Sequence, residues 1–342
     1  MKISLLVPAY NEERSIEASV LSCLNQVRPF DELIFVDDCS KDETHTILTQ
    51  YTDRITVIRT PKNTGNKSSA QEYGLQFISG DVVVMTDADT LLDAHFTEEI
   101  EKSFSDPSIF AVAGRVKSIP YNWLTLCRAF DYAIGQSIHK LAQDKLNFIF
   151  VMPGAASAFR TEAFRKYITF DHDTITEDLD FTFKMHHQNL AISYNQNAIC
   201  RTQDPTDLNN YINQMRRWFG GGWQNLLKHY SIIAKKPACA LELSLMYAEG
   251  IVFSVLFFII PMLNYMLWMW LMVGYLVVAF PFALWAAWYE RRLAIIIAPI
   301  PYLLLVYINA YIYLEQFVKE VILKEKNLIW FKPERVDIRH TL

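Results

Sequence analysis

The sequence predicts an α/β protein in which a mostly parallel, doubly wound sheet is followed by a helical membrane region. Short apolar runs alternate with segments of helical spacing over about the first ninety residues. Because parallel strands need a helical crossover, this alternation predicts a parallel sheet. Residues 241–317 are almost uncharged and hold apolar stretches long enough to cross a bilayer.

Composition divides the 342 residues into four parts. We expect a globular domain at 1–225, an amphipathic segment in the membrane interface at 226–242, membrane helices at 243–318 and a basic tail at 319–342. The first apolar run, residues 3–7, is too short for the core of a signal peptide, so the globular domain is predicted to stay in the cytosol.

Charge and cysteine usage exclude several classes of protein. The formal net charge of −5 gives no support for nucleic-acid binding. The five cysteines are odd in number, scattered and never in a Cys-x-x-Cys pair. Neither a disulfide framework nor a zinc site is therefore indicated.

The first elements are assigned from apolar runs and from helical spacing. The predicted strands are residues 2–7, 32–36, 55–59 and 81–85, with helices at 15–24, 42–51 and 68–77. The second half of the domain contributes a strand at 109–116 and an amphipathic helical segment at 122–144.

Each of the first four strands runs into a polar or acidic loop, at residues 8–13, 37–40, 62–67 and 87–89. Because the carboxyl ends of parallel strands share one edge of a sheet, we expect these loops to lie together. Asp and Asn residues also start turns and cap helices, which is the alternative explanation for any single loop. Four such loops at one edge favour a binding site.

Asp87 and Asp89 directly follow the apolar strand at 81–85. Ligands bind at this end of strands in open α/β sheets. Two neighbouring carboxylates repel each other unless a hard cation such as Mg²⁺ or Mn²⁺ lies between them and a phosphate. The pair predicts a metal and diphosphate site, and the alternative is a solvated turn.

Three of these loops, taken in order, resemble the nucleotide-sugar-binding half of family 2 glycosyltransferases, which are inverting enzymes with a GT-A fold. The matching sequences are Val7-Pro8-Ala9-Tyr10-Asn11-Glu12-Glu13, Val36-Asp37-Asp38-Cys39-Ser40 and Asp87-Ala88-Asp89. The resemblance implies a nucleotide diphosphate sugar as donor, most often a UDP-sugar. It also implies donor contacts and metal ligands at Pro8, Tyr10, Glu12, Asp37 or Asp38, Lys67, Asp87 and Asp89, the last two holding the metal.

The segment from Met152 to Arg160 is rich in small residues. Small residues let a backbone approach a ligand closely, and they also suit tight packing. The segment resembles the Gly-x-x-x-x-Phe-Arg sequence that faces the acceptor sugar in this family. By that match Gly154, Phe159 and Arg160 would bind the acceptor.

Thr176-Glu177-Asp178 precedes an amphipathic helix that runs through His187. Thr176 is also suited to cap that helix, with the acids complementing its positive end. The resemblance instead makes Asp178 the catalytic base and places Glu177 at the acceptor. Inverting displacement needs such a base, and a carboxylate in a partly closed acidic site has a raised pKa.

Gln214-Met215-Arg216-Arg217-Trp218 is suited to a diphosphate and a sugar, because Arg presents a fork of donors and an indole face stacks on a pyranose. A helix lying on a membrane surface has a similar composition. The spacing resembles the Gln-x-x-Arg-Trp motif of cellulose, chitin and hyaluronan synthases and of ceramide glucosyltransferase-like enzymes. It implies that Gln214 and Arg217 hold the diphosphate and that Trp218 forms the floor of the acceptor site.

Three apolar stretches follow a glycine-rich segment at 219–223 that we expect to be flexible, and they lie at 243–263, 265–288 and 293–315. The basic residues between the second and third stretches favour a cytosolic position there. Pro299 and Pro301 are suited to break the third stretch into a re-entrant or interfacial element, which leaves the basic tail in the cytosol. The tail sequence at 330–335 loosely resembles a segment that closes over the bound nucleotide in some of these enzymes.

Together these features predict metal-dependent, inverting transfer of a sugar to a growing cell-surface polysaccharide at the cytosolic face of a membrane, the inner membrane in a bacterium. The alternative product is a membrane glycolipid that receives one or a few sugars. Two or three spans are few for a polysaccharide channel, so an oligomer or a partner subunit would assist export. A catalytically silent sugar-binding module is a third hypothesis, against which the complete motif set argues.

Overall fold

The computed structural model describes residues 1–232, 243–329, 331–333 and 335–336. The chain forms two compact units. The first contains residues 1–119, 140–203 and 334–342, and the second contains residues 120–139 and 204–333. Each unit has its own buried apolar clusters.

The first unit is built on one eight-stranded sheet of order β3-β2-β1-β4-β7-β6-β8-β5. The strands are β1 Ile3–Ala9, β2 Glu32–Asp37, β3 Thr56–Arg59, β4 Val82–Met85, β5 Thr90–Leu92, β6 Ile109–Ser118, β7 Ser157–Arg160 and β8 Ala191–Thr202. β1 pairs in parallel with β2 and β4, and β2 pairs in parallel with β3. The predicted parallel arrangement of the first four strands is therefore confirmed.

Helices connect these strands and cover the sheet. In the first unit they are α1 Ile16–Leu24, α2 Thr44–Thr49, α3 Lys67–Leu75, α4 Phe96–Ser103, α6 Lys140–Lys145, α7 Thr161–Tyr167 and α8 Glu177–His187. The residues of β1 and β4 are all buried, as expected for parallel strands covered on both faces.

The remaining strands make the sheet mixed. β7 lies between β4 and β6 and runs antiparallel to both, whereas β6 and β8 are parallel. β5 pairs antiparallel with β8. The small residues of β7 had suggested a ligand-facing loop or tight packing, and its buried Ser157, Ala158 and Phe159 show tight packing.

The second unit is helical, with α5 Trp123–Ile134, α9 Leu208–Lys228, α10 Gly250–Leu263, α11 Tyr265–Tyr289 and α12 Pro299–Phe317. α5, α9 and α12 share a buried cluster to which they contribute, for example, Leu124, Tyr211 and Leu305. The segment expected at 226–242 begins inside α9, and its residues 233–242 lie outside the described part of the chain.

The glycine-rich segment at 219–223 is not a flexible link, because it lies inside α9. A β-carbon on Gly220 would lie 3.0 Å from Gln316 Oε1, and one on Gly222 would lie 3.1 Å from Tyr247 Oη. The glycines therefore permit close packing of α9 against its neighbours in this unit. Glycine destabilises an isolated helix, but it also lacks the side chain that would keep two packed helices apart.

Among the described residues, two helical stretches are long and apolar enough to cross a membrane, Met246–Leu263 and Tyr265–Tyr289. Only 17% of the first window and 11% of the second are buried. The third predicted stretch contains a 3-10 helix at Leu293–Ile297 and then α12, whose buried residues join the core of the unit. Two predicted spans thus have matching helices, and the arrangement of the third in a membrane remains a prediction.

Candidate active site

The loops that follow β1, β2 and β3 meet at one edge of the sheet. The backbone N–H of Asn11 donates to Ser40 Oγ at 3.0 Å, and that of Glu12 donates to Thr44 Oγ1 at 2.7 Å. Asn63 Nδ2 donates to the Asp38 carbonyl at 2.9 Å. The expected grouping of these loops is confirmed.

Asp38 organises this edge. Its buried carboxylate accepts hydrogen bonds from the Thr60 and Thr64 hydroxyls, both at 2.8 Å, and from Asn63 Nδ2 at 3.1 Å. The backbone N–H of Thr64 donates to both carboxylate oxygens at 3.0 Å. These bonds hold the loop after β3 against the end of β2, so a structural role accounts for Asp38.

Asp37 is fully buried at the end of β2. Its Oδ1 accepts the backbone N–H of Ser40 at 2.9 Å. Its Oδ2 lies 3.0 Å from His45 Nδ1 and 3.2 Å from Arg59 Nε. A contact of Asp37 or Asp38 with a nucleotide base remains a prediction, as do the donor contacts of Pro8, which is buried in β1, and of Tyr10.

Lys67, the first residue of α3, joins the metal motif to the residues around Asp178. Its Nζ lies 2.5 Å from Asp87 Oδ1 and 3.5 Å from Glu177 Oε1. Burial alone would lower the pKa of Lys67, but these two carboxylates outweigh burial and raise the pKa above its ordinary value. Lys67 is therefore a fixed positive charge in this site.

Asp178 lies in the first turn of α8. Its Oδ1 accepts the backbone N–H of Leu179 at 2.9 Å, and its Oδ2 accepts that of Gly154 at 3.3 Å. Burial, and next the charge of Glu177, raise the pKa of Asp178 to about 6, although Lys67 acts in the opposite direction. The carboxylate is thus ionised near neutral pH and basic enough to accept a proton.

Gly154 lies close to this acid and to the Lys67 ammonium group. A β-carbon on Gly154 would be 2.7 Å from Lys67 Nζ and 3.7 Å from Asp178 Oδ2. A small cleft lined by Gly154, Glu177, Asp178 and Phe159 adjoins the acid. Phe159 is only 2% exposed and belongs to the main core, so its contribution to this cleft is packing.

Arg160 does not join the group. It pairs with Val82 at the amino end of β4, whereas Asp87 follows the carboxyl end of that strand. Its guanidinium donates to the carbonyls of Ile109, Phe104 and Asp106 at 2.8, 3.2 and 3.0 Å. Because β7 runs antiparallel to β4, Gly154 and Arg160 flank opposite ends of this strand, which the motif spacing did not reveal.

Asp89 is 4% exposed and contacts an arginine from the tail. Arg335 forms an ion pair with Asp89 Oδ2, and its Nε lies 3.9 Å from Glu12 Oε2. Burial raises the pKa of Asp89 to about 6, with further increases from Asp87 and Glu12 and an opposing effect of Arg335. The tail segment was expected near the nucleotide, but no sequence pattern indicated that Asp89 would pair with an arginine.

The chemistry of this carboxylate set fits a divalent cation. Asp87 and Asp89 offer hard oxygen ligands directly after β4, and each is already paired with a positive side chain, Lys67 and Arg335. A second acidic group, whose ligand oxygens lie within 4.8 Å of one another, consists of Asp171, Asp173 and Asp180. Lys184 Nζ lies 2.7 Å from both Asp171 and Asp180, so a lysine already balances that group.

The Gln-x-x-Arg-Trp residues lie on α9, in the second unit. Gln214 is buried, and its Oε1 has no hydrogen-bond partner among the described residues. Trp218 packs under Arg128, whose guanidinium carbon is 5.0 Å from the indole centroid. The functions of Gln214, Arg217 and Trp218 remain predictions.

Sequence reasoning missed several buried basic residues, among them Arg128 and Lys140. Arg128 lies 3.3 Å from Asp204 and 2.5 Å from Asp131 in the second unit. Lys140, which begins α6, is 5% exposed, and burial lowers its pKa to about 8 despite the charge of Asp178. The sequence sign that could have revealed Arg128 and Lys140 was a basic residue within a segment of apolar helical spacing.

The profile of the family described as "Glycosyltransferase like family 2" matches residues 2–221. The chain therefore belongs to glycosyltransferase family 2. The matched region includes every candidate site residue predicted from the sequence and ends within α9.

Two curated relatives have related sequences. The chain is 27% identical over 236 residues to the poly-beta-1,6-N-acetyl-D-glucosamine synthase of Staphylococcus epidermidis, covering 67% of this chain and 56% of the relative. It is 24% identical over 233 residues to an N-acetylglucosaminyltransferase of Azorhizobium caulinodans, covering 64% and 58%. The chain spans somewhat more than half the length of these relatives.

Two solved structures have a similar fold. PcManGT, a mannosyltransferase from Pyrobaculum calidifontis in complex with GDP-Man and Mn²⁺, has a TM-score of 0.66 at 20% identity and covers 95% of this chain and 88% of its own. S. aureus TarS 1-349 in complex with UDP-GlcNAc has a TM-score of 0.50 at 20% identity, with coverage of 65% and 66%. The likeness confirms the predicted GT-A fold and, at these identities, shows the fold alone.

Proposed function

We propose that the chain is a metal-dependent, inverting glycosyltransferase that moves a hexose from a nucleotide diphosphate sugar to a growing polysaccharide. One observation carries the proposal. Asp178 is held at the start of α8 with a raised pKa, and Lys67 links its neighbour Glu177 to Asp87 of the metal motif. The base and the motif that would hold the diphosphate thus belong to one charged cluster.

In this mechanism Asp178 accepts the proton of the acceptor hydroxyl as its oxygen attacks the anomeric carbon. The bond from that carbon to the diphosphate oxygen breaks, and the nucleoside diphosphate leaves with the electron pair. Attack from the opposite face inverts the configuration. A divalent cation held by Asp87 and Asp89 would stabilise the charge of the leaving diphosphate.

The other predicted residues would bind the two substrates. Lys67 provides a fixed charge near the diphosphate. The motif resemblance also assigns diphosphate binding to the Gln214 amide and the Arg217 guanidinium. Trp218 stacks on the acceptor sugar. The nucleoside lies by Tyr10 and Glu12, and Gly154 lets the acceptor approach Asp178.

The names of the curated relatives guide the choice of sugar and acceptor. Both relatives are named for N-acetylglucosamine, and one is named as the synthase of a polymer of that sugar. We therefore infer that UDP-N-acetylglucosamine is the donor to test first and that the product is a polysaccharide. Transfer to a membrane lipid is the second candidate, favoured by the small number of apolar helices among the described residues.

The proposal places the reaction at the cytosolic face of a membrane, with α10 and α11 inserted in the bilayer. Their mean hydropathy of 2.0 and low burial support this placement. The two candidate spans found in the described ranges leave little room for a polysaccharide channel, so export would need an oligomer or a partner subunit.

The test is to incubate the purified full chain in detergent with labelled UDP-sugars and Mn²⁺ or Mg²⁺ and to size the products. A long polymer supports the first candidate, and a product that extracts into organic solvent supports the second. The Asp178→Asn variant is the control for contaminating activity. Absence of transfer from every donor with every acceptor fraction, despite nucleotide binding, would favour the silent sugar-binding module.

A further inference from the structure

An arginine of the tail contacts a carboxylate of the proposed metal site. Asp89 Oδ1 accepts a hydrogen bond from the Thr90 hydroxyl at 3.2 Å. Arg335 forms its ion pair with the other oxygen, Oδ2, and reaches Glu12 as well. Its side chain is only 13% exposed, so the arginine is inserted among these acids.

Hydrogen bonds of Arg335 and Val336 hold the tail in place. Arg14 donates to the carbonyl of Arg335 at 3.0 Å, and Arg335 itself donates to the carbonyl of Gln203 at 3.0 Å. The backbone N–H of Val336 donates to Gln203 Oε1 at 3.1 Å. Arg335 and Val336 are therefore held by both backbone and side-chain hydrogen bonds.

The residue after the arginine adds apolar contact. Val336 packs against a small cluster formed by Leu91 and Ile119, with Ala18 beside it. Leu91 lies in β5, two residues after Asp89. The tail therefore rests on the strand that directly follows the metal motif, and its position is coupled to that motif.

A guanidinium and a divalent cation compete for the negative charge of this carboxylate. Mg²⁺ binds its oxygen ligands at about 2.1 Å, so a cation on Asp89 would lie close to the Arg335 guanidinium. Their like charges would also repel each other at such close range in a buried setting. Each of the two cations therefore weakens the binding of the other to Asp89.

We propose that the tail around Arg335 is an internal competitor of the divalent cation, so that metal binding at Asp89 and release of the tail are coupled. This inference rests on the proposed metal site. Coupling is reciprocal, so removal of the arginine tightens metal binding as much as metal binding loosens the tail. If the tail occupies Asp89 in about 90% of molecules, it weakens apparent metal affinity about tenfold.

The first test is titration of the full chain in detergent with Mn²⁺, followed by the electron paramagnetic resonance signal of free Mn²⁺. Arg335→Gln should bind Mn²⁺ about tenfold more tightly than the wild type. Arg201→Gln is the matched control, because it removes an arginine that pairs with Asp93 at 3.1 Å in the same unit. Its affinity should stay within about twofold of the wild type, since it does not contact Asp89.

A second test uses the wild-type chain, so it does not depend on the folding of a variant. Trypsin must take Arg335 into its own pocket to cleave the bond to Val336, so the bound tail is protected. Addition of Mn²⁺ should speed this cleavage about tenfold, measured by mass spectrometry of the peptide that starts at Val336. Cleavage after Lys326, an exposed residue, is the internal reference and should not change.

The outcomes separate this inference from the proposed function. Equal Mn²⁺ affinity in the wild type and Arg335→Gln would overturn the competition and leave the metal site intact. Weaker binding in Arg335→Gln, or protection of Arg335 from trypsin by Mn²⁺, would also overturn it, because the arginine would then assist the bound state. Failure of every form to bind Mn²⁺, with or without UDP, would overturn both the competition and the metal site.

Discussion

At the scale of single residues, the site depends on acids whose environment disfavours their charge. Burial raises the pKa values of both Asp89 and Asp178 to about 6. The raised pKa makes Asp178 a stronger base, and it means that a cationic partner stabilises the ionised form of Asp89. The ionised carboxylates that the proposed function requires therefore lower the folding stability.

Asp178→Asn should leave binding of UDP nearly unchanged and lower turnover by roughly two to four orders of magnitude, because it removes only the proton acceptor. Steady-state assays and calorimetry with UDP measure the two effects separately. Unchanged turnover would remove Asp178 from the mechanism, and equal loss of UDP binding would assign it to the donor site.

The same variant should be more heat-stable than the wild type above pH 7. The folded-state pKa of about 6 lies above the ordinary carboxyl value, so ionisation costs folding stability that grows as pH rises toward 6 and is then constant. Removal of the charge should raise stability by about 1–3 kcal/mol at pH 7.5. In thermal scans in detergent, the difference in Tm between Asp178→Asn and the wild type should become smaller toward pH 4. A difference that does not depend on pH would contradict the assigned pKa.

Asp89→Asn should weaken metal-dependent binding of UDP while leaving metal-free binding largely intact, because it removes a charged ligand from the cation. Calorimetry with and without Mn²⁺ measures the difference. Asp171→Asn is the matched control from the acidic group balanced by Lys184. Equal loss of Mn²⁺-dependent affinity in both variants would indicate a general electrostatic effect instead of a metal ligand.

At the scale of elements, the α5–α9 contact is fixed by a buried arginine. Arg128 is 3% exposed, pairs with Asp131 and Asp204, and lies between the rings of Tyr132 and Trp218, at 4.6 and 5.0 Å from their centroids. The hydroxyl of Tyr132 donates to Asp204 at 3.1 Å. The buried Arg128 guanidinium therefore links Trp218, the proposed acceptor residue, to α5.

Arg128→Met should destabilise the second unit by about 3–5 kcal/mol, because it leaves Asp204 buried without its partner. Arg216→Met is the matched control, since Arg216 pairs with Glu315 at 2.8 Å but is 41% exposed and should cost less than about 1 kcal/mol. Chemical denaturation in detergent compares them. Adding Asp204→Asn to Arg128→Met should recover part of the loss, and similar costs for the two single variants would show that burial of Arg128 is not decisive.

At the scale of the whole molecule, the main question is whether α10 and α11 lie in a bilayer. Val277 lies at the midpoint of α11 and is 66% exposed, and Tyr265 begins the same helix and is 60% exposed. The C-terminal half of α11 contributes Ala283 and Ala286 to a buried cluster, but only 11% of its 18-residue apolar window is buried among the described residues. A bilayer would cover the exposed apolar side chains.

Val277→Arg should reduce membrane insertion, because a charge at the centre of a spanning helix costs about 2.5–3.5 kcal/mol. Tyr265→Arg should be tolerated, because arginine at a helix end reaches the interface. Carbonate extraction of membranes containing each variant measures the fraction that remains inserted. If α11 faces water instead, both variants should behave alike and should leave the membrane fraction as readily as the wild type.

Much of the first unit could be predicted because its information is local. Apolar runs followed by turns predicted β1 to β4, and the rule that parallel strands share an edge then grouped Asp38 with the loops after β1 and β3. The motifs predicted the family, which the match over residues 2–221 shows. By contrast, β7 was not recognised as a strand, because Ser157 and Ala158 have no strong strand preference and are buried only through contacts with β4 and β6.

The sequence by itself determined the fold class, the four loops of the site and the apolar character of residues 243–289, since periodicity and turn chemistry act over short distances. Only the tertiary structure decided that Arg160 lies beside the amino end of β4, away from Asp87. It also decided that the glycines at 220–222 lie within α9. The tertiary structure likewise decided that Arg335 pairs with Asp89, almost 250 residues earlier in the chain. Contacts of this kind depend on strand order and packing, which no local pattern of residues encodes.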